Sequence, residues 1–138
     1  IMVQGGWRRD LADLYAQADA TAAQVDFVQT YDDYPVIVMM QFEDLGFCAK
    51  GEGPQFVRDH RMTHDGSFPN NTSGGQLSVG QAGAAGGFIG MVEALRQLCD
   101  MAGERQVTNA QLGLVSGFGM VTYDRCLCTG AVLLGRSA

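Results

Sequence analysis

One stretch constrains this chain more than any other: Asn70-Asn71-Thr72-Ser73-Gly74-Gly75-Gln76-Leu77-Ser78-Val79-Gly80-Gln81-Ala82-Gly83-Ala84-Ala85-Gly86-Gly87. It opens as a turn-rich segment and leads into an apolar helix. Glycines recur where a backbone must turn sharply or approach something closely. The helix runs through Phe88, Ile89, Met91, Val92, Leu95 and Leu98, a spacing that predicts one buried face. Its first turns hold only glycine and alanine, so another backbone or a ligand can come near. The positive end of that helix faces the Gly80–Gln81 turn, and Gln81 is placed to touch a ligand there. A tight turn that simply feeds a core helix fits the same residues.

At 138 residues the chain suits one domain, and a hydrophobic fraction of 46% is that of a globular protein. The net charge of −6, with no basic patch, argues against nucleic acid as a partner. The apolar run Val36 to Met40 is far short of the ~20 residues that span a bilayer, so no membrane partner is expected. Ile1 to Gly6 lacks the charged and apolar regions of a signal peptide. Cys48, Cys99, Cys126 and Cys128 form no Cys-x-x-Cys pair. Cys126 and Cys128 point the same way on a strand and would bridge only with strain. Free thiols suit a reducing, cytoplasmic setting. His60 and His64 lie four apart in a loop with no third ligand, and no metal is expected.

Taken in order, the chain begins raggedly over Ile1 to Trp7, as a chain incomplete at its N-terminus would. Arg8 to Ala20 reads as a helix with Leu11, Leu14, Tyr15 and Ala18 on one face. Val25 to Tyr31 reads as a strand. Asp32-Asp33 can cap a helix that starts at Tyr34-Pro35, carries Val36 to Leu45 and stops at Gly46. Glu52 to Asp59 reads as a short helix and Arg61 to Asn71 as a loop. The long helix ends near Gly103. Gln111 to Gly117 and Cys126 to Leu134 read as buried strands. Strands alternating with helices predict an α/β layered fold.

Several motifs in one order resemble a known family. Asn71-Thr72-Ser73-Gly74-Gly75-Gln76-Leu77-Ser78-Val79-Gly80 is similar to Asn-x-Ser-Gly-Gly-x-Leu-Ser-x-Gly of the sterol-carrier, lipid-transfer branch of the thiolase superfamily, which includes acetyl-CoA acetyltransferase-like proteins. Phe42-Glu43-Asp44-Leu45-Gly46-Phe47-Cys48, Lys50-Gly51-Glu52-Gly53, Arg96-Gln97-Leu98 and Gly103-Glu104-Arg105-Gln106-Val107 extend the resemblance from about Asp10 to Leu134. It implies that residues 1–138 form a thiolase-like C-terminal domain. That is one half of the two-fold repeated βαβαβαββ architecture.

The resemblance also implies chemistry: making or breaking a carbon–carbon bond beside a coenzyme A thioester. Such chemistry needs a nucleophilic thiol, an acid or base at the α-carbon, and donors for the thioester oxygen. The family's acyl-accepting cysteine belongs to the N-terminal half, so none of the four cysteines here is expected to be it.

Tyr31-Asp32-Asp33-Tyr34 stands where the family has Asn-Glu-Ala-Phe or His-Asp-Cys-Phe, which puts Tyr31 at the oxyanion side and Tyr34 beside substrate. A phenol can donate to a carbonyl or take up an alcohol proton, as tyrosines are thought to do in sterol side-chain aldolases of the superfamily. A tyrosine packed at a strand end is the plainer alternative. Gly80-Gln81-Ala82 replaces the family's Gly-His-Pro. Glutamine donates a hydrogen bond but exchanges no proton near neutrality, which points away from an ordinary thiolase and toward retro-aldol cleavage or a degenerate site. Cys128-Thr129-Gly130 matches Cys-x-Gly, which implies Cys128 as proton carrier and the Gly130 amide as an oxyanion donor. Most free cysteines are simply small apolar residues. Tyr123 could line a pocket or pack.

The expectation is therefore an acyltransferase or retro-aldolase domain of lipid or steroid side-chain metabolism. Tyr31, Gln81 and Cys128 are the catalytic candidates, and Gly80, Gly130 and Tyr34 the substrate-binding ones. No cofactor is held tightly, since coenzyme A arrives with the substrate. The family implies an N-terminal thiolase half, a homo-oligomer and a small zinc-ribbon/OB-fold subunit as partners. The alternative is a non-catalytic structural or acyl-CoA-binding subunit.

Overall fold

Three strands form the sheet, in the order β1-β2-β3. The computed structural model describes residues 5–81, 83–122 and 125–136. Strand β1 (Phe27–Gln29) runs parallel to β2 (Leu112–Thr122), with Phe27 beside Gly113 and Gln29 beside Val115. Strand β3 (Arg125–Gly135) returns antiparallel to β2, from Thr122↔Arg125 to Leu112↔Gly135. Both hairpin strands outrun their sequence expectation. Gly117 and Gly119 look like breaks in β2, yet their pairing with Gly130 and Cys128 carries the ladder through them. Gly113 serves packing, because a Cβ there would enter the Phe27 ring.

Helices cover both faces. On one side lie α1 (Leu11–Gln17) and α2 (Pro35–Asp44), with α3 (Gly53–Asp59) against α2. Leu114, Val28, Leu45 and Trp7 form the core there, with Leu14, Ile37, Phe118 and Leu133 packed around them. On the other side α5 (Phe88–Leu98) lies on β1 and β2, and Ala94 and Leu98 join Phe27, Val107, Ala110 and Val115. Gly90 lets α5 sit close to the sheet: a Cβ there would stand 3.1 Å from Gln29 and 3.4 Å from Val115. The glycine stretch itself forms α4 (Gly75–Val79) and a 3₁₀ turn, Gly83–Gly87. No helix among the described residues is long and apolar enough to cross a membrane.

Four expectations are corrected. The first helix is only α1. Asp19, at φ +48°, ends the helical run, while Trp7 is buried and its indole Nε1 donates to Gly117 O at 3.1 Å and Gly130 O at 3.2 Å. The strand expected over Val25–Tyr31 is limited to Phe27–Gln29, because β1 pairs with β2 only over those three residues. The N-cap of α2 is Tyr34, without a side-chain cap, and Asp32 serves a different helix.

The fourth correction concerns α5, which ends at Leu98 and buries Glu93, Ala94, Gln97 and Leu98. The apolar residues read as its core face are largely outside: Phe88 is 68% exposed, Val92 45% and Leu95 49%. Polar partners explain the reversal. Glu93 Oε1 accepts from Arg105 Nε at 2.9 Å and Thr72 Oγ1 at 2.8 Å. Gln97 Nε2 donates to Arg105 O at 2.9 Å, and its Oε1 accepts the Val107 N–H at 2.8 Å. A fully hydrogen-bonded polar face can be buried at little cost.

Candidate active site

The site forms where the chain leaves β1. Asn71 Oδ1 accepts the Thr30 N–H at 2.9 Å, and the Asn71 N–H donates to Val28 O at 3.0 Å. The start of the glycine stretch is thereby fastened alongside β1. The next residue, Tyr31, lies beyond the ladder, yet both its backbone polar groups are held. Gln41 of α2 accepts the Tyr31 N–H at 3.1 Å through Oε1 and donates to Tyr31 O at 2.7 Å through Nε2. The Tyr31 ring packs on Phe118 at 5.8 Å.

Asp32 is buried and caps α4, accepting the Gln76 N–H at 2.8 Å. Gly75, at φ +62°, has no room for a side chain, since a Cβ would collide with the Asp32 carboxylate. At the other end of α4, Gly80 is the C-cap at φ +97°. That left-handed turn favours glycine, and it redirects the chain so that Gln81 Nε2 donates to Tyr31 Oη at 3.3 Å. Tyr31 and Gln81 are fifty residues apart in sequence and meet here. A donor aimed at the phenolic oxygen stabilises negative charge as it builds there.

Beside the pair is a narrow cleft of about 20 Å³, lined by Tyr31, Asp32, Gln76, Gly86 and Gly117 among others. That is room for about one water or hydroxyl group. Gln76 faces it. Its side chain is 9% exposed, and Oε1 has no hydrogen-bond partner among the described residues.

The other sequence candidates stand apart from the pair. Tyr34 is exposed at the start of α2. Cys128 is exposed opposite Gly119, and its Sγ donates to Gly119 O at 3.4 Å. Strand alternation puts it on the face opposite Phe118, whose ring meets Tyr31. Gly130 is opposite Gly117 in the ladder, lines a separate groove with Trp7 and Leu14, and gives its carbonyl to Trp7. Tyr123 and the side chain of Cys126 lie outside the described residues. Burial, with Glu43 and Glu52 nearby, pushes the Cys48 thiol up to about 11, which makes it a poor nucleophile. Among the described residues no cluster of three His, Cys, Asp or Glu is arranged to hold a metal.

Sequence reasoning missed Gln41, Gln76 and the cap made by Asp32. Only the fold marks these residues: Gln29, Gln41, Gln76 and Gln97 are all buried, and a buried amide must have partners or a ligand.

A family model described as thiolase C-terminal domain-like matches residues 2–129. The chain belongs to that family. It is 34% identical over 105 residues to the acetyl-CoA acetyltransferase of Methanothermobacter thermautotrophicus, covering 76% of this chain and 27% of the relative. It is 41% identical over 85 residues to the 17-hydroxy-3-oxo-4-pregnene-20-carboxyl-CoA lyase of Mycobacterium tuberculosis, covering 62% of this chain and 21% of the relative. The solved Ltp2-ChsH2(DUF35) aldolase matches with a TM-score of 0.75 at 28% identity, over 94% of this chain and 31% of that chain. The chain therefore spans between a fifth and a third of the length of these proteins. The α/β fold and the thiolase-like C-terminal domain expected from sequence are those found, and sterol carrier protein 2 of Homo sapiens is also similar, 30% identical over 77% of this chain and 19% of the relative.

Proposed function

We propose that this domain supplies part of an active site that cleaves a carbon–carbon bond of a 3-hydroxyacyl coenzyme A thioester by a retro-aldol reaction. The observation that carries the reading is the hydrogen bond from Gln81 to Tyr31 Oη beside a hydroxyl-sized cleft. In the reaction the substrate hydroxyl loses its proton and its C–O bond becomes a carbonyl. The Cα–Cβ bond breaks, and its electron pair passes to the thioester enolate, which then takes a proton at the α-carbon. Tyr31 exchanges the hydroxyl proton, and Gln81 supports charge on the phenolic oxygen. The orphan carbonyl of Gln76 gives the cleft an acceptor for a bound donor. Glutamine at position 81 cannot relay a proton as a histidine does, which favours this reaction over acyl transfer. The names of the lyase and aldolase relatives point the same way.

The reading includes a complementary N-terminal thiolase half. Support comes from the bare apolar face of Phe88, Val92 and Leu95. It adjoins a groove of about 250 Å³ lined also by Ser73, Val79, Ile89 and Arg96. Faces of this kind on a folded domain mark interaction surfaces. A small partner subunit is part of the same proposal, by analogy with the paired name of the solved aldolase.

The test is product analysis. Full-length protein, with its partner subunit, is given a 3-hydroxyacyl-CoA without free coenzyme A. Release of a ketone or aldehyde and a shortened acyl-CoA supports retro-aldol cleavage. No cleavage of the 3-hydroxyacyl-CoA, together with cleavage of a 3-oxoacyl-CoA that requires added coenzyme A, supports acyl transfer instead.

A further inference from the structure

We propose that Gln41 is a positioning residue for Tyr31, acting as a substitute strand neighbour that holds the phenol on Gln81. The catalytic consequence rests on the reading above; the positioning itself does not. Strand β1 ends at Gln29, and residue 31 has no ladder partner among the described residues. An unpaired residue at a strand end ordinarily frays. Here the fully buried Gln41 amide makes the two bonds to Tyr31 N and O that an adjacent strand would make.

The amide is itself over-determined. Its Nε2 also donates to Ile37 O at 3.0 Å, which ties it to its own helix. Its Oε1 also accepts from Ser116 Oγ at 2.6 Å, which ties it to β2. The Tyr31 and Ile37 carbonyls, which can only accept, hold the Nε2 end of the amide, so Oε1 is left to face the Tyr31 N–H and the Ser116 hydroxyl. With its backbone clamped, its ring against Phe118 and its neighbour Asp32 locked onto α4, Tyr31 has one direction in which to point. A leucine would fill the space but make none of the four bonds. A reacting group displaced by about 1 Å can lose about 10²-fold in rate.

The experiment uses full-length protein carrying 3-fluorotyrosine at position 31, compared with Gln41→Leu and Ser116→Ala. Activity, melting temperature and the fluorine NMR line of residue 31 are read together. The proposal expects Gln41→Leu to shift or broaden that line. It also expects kcat on a 3-hydroxyacyl-CoA to fall about 10²-fold with KM within about threefold. Ser116→Ala should give a smaller change in the same direction. In the Tyr31→Phe background, Gln41→Leu should cost little more, because both act through one group. If Gln41→Leu does not fold, Gln41→Glu, which keeps the acceptor and loses the donor, takes its place. An unchanged fluorine line in a folded Gln41 variant, or equal rate losses in both backgrounds, overturns the proposal. A wild-type protein inactive on 3-hydroxyacyl-CoA, with the fluorine line still shifted by Gln41→Leu, overturns the retro-aldol reading and leaves the positioning standing.

Discussion

The Asp32 carboxylate closes the first turn of α4 by accepting the Gln76 N–H at 2.8 Å. Asp32 follows Tyr31 directly, and the far end of α4 delivers Gln81 back to Tyr31. The cap is therefore both a stability element and part of the site. Asp32→Ala should cost about 1–2 kcal/mol, with a loss of activity beyond that of the melting shift. Gly75→Ala should cost more than Gly103→Ala. The two glycines share nearly the same φ, +62° and +63°, but only at 75 does a Cβ meet the carboxylate. Chemical denaturation of the two variants isolates that collision. Equal costs would show that Asp32 yields easily.

Glu93 should make the fold acid-sensitive. Burial acts to raise its pKa, but Arg105, Thr72 and Gln97 together hold it below the usual glutamate value. A depressed carboxylate contributes its stability in full above the unfolded-state value. That contribution is lost as pH falls through the lower folded-state value. Melting curves of wild type and Glu93→Gln should therefore differ at neutral pH and converge as the pH falls below the ordinary glutamate range and through the lower folded-state value. Arg105→Ala should cost about 2 kcal/mol at neutral pH, since it leaves a buried carboxylate without its cation.

The outer face of α5 should matter for association and not for folding. Val92→Gln with Leu95→Gln should leave the stability of this domain within about 0.5 kcal/mol. Leu98→Ala, in the core, should cost about 2–4 kcal/mol. In co-expression with the complementary half, the Val92/Leu95 pair should weaken recovery of the complex. Unimpaired recovery would show that this face is not the contact.

Cys128 distinguishes the two reactions. Its thiol is exposed and hydrogen-bonds Gly119 O, away from Tyr31. Cys128→Ala should keep retro-aldol turnover within about threefold, whereas a general acid–base group would cost about 10²-fold or more. A loss of that size, measured as initial rate, would restore Cys128 as the proton carrier.

Much of this arrangement was legible before the fold was known. Helix α2 announced itself through Pro35 at its start, and the two long strands through their apolar runs. Tyr31 and Gln81 emerged as candidates because two family motifs converge on them, and the fold brings them into contact. The orientation of α5 was not legible because its inward face is held by the hydrogen bonds of Glu93 and Gln97, which a count of apolar residues does not register. Gln41 and the Asp32 cap left no periodic signal. Their partners lie 10 and 44 residues away, and only the folded chain brings them together.

The central claim is that the Tyr31 phenol does the chemistry with Gln81 behind it. The most direct measurement is the single-turnover rate of 3-hydroxyacyl-CoA cleavage by full-length wild type and Tyr31→Phe, with melting temperatures taken on the same samples. The account predicts a rate loss of about 10²–10⁴-fold with the melting temperature nearly unchanged, because the hydroxyl removed makes one exposed hydrogen bond among the described residues. A phenylalanine variant that cleaves at the wild-type rate would contradict it and favour a structural or acyl-CoA-binding role for the domain.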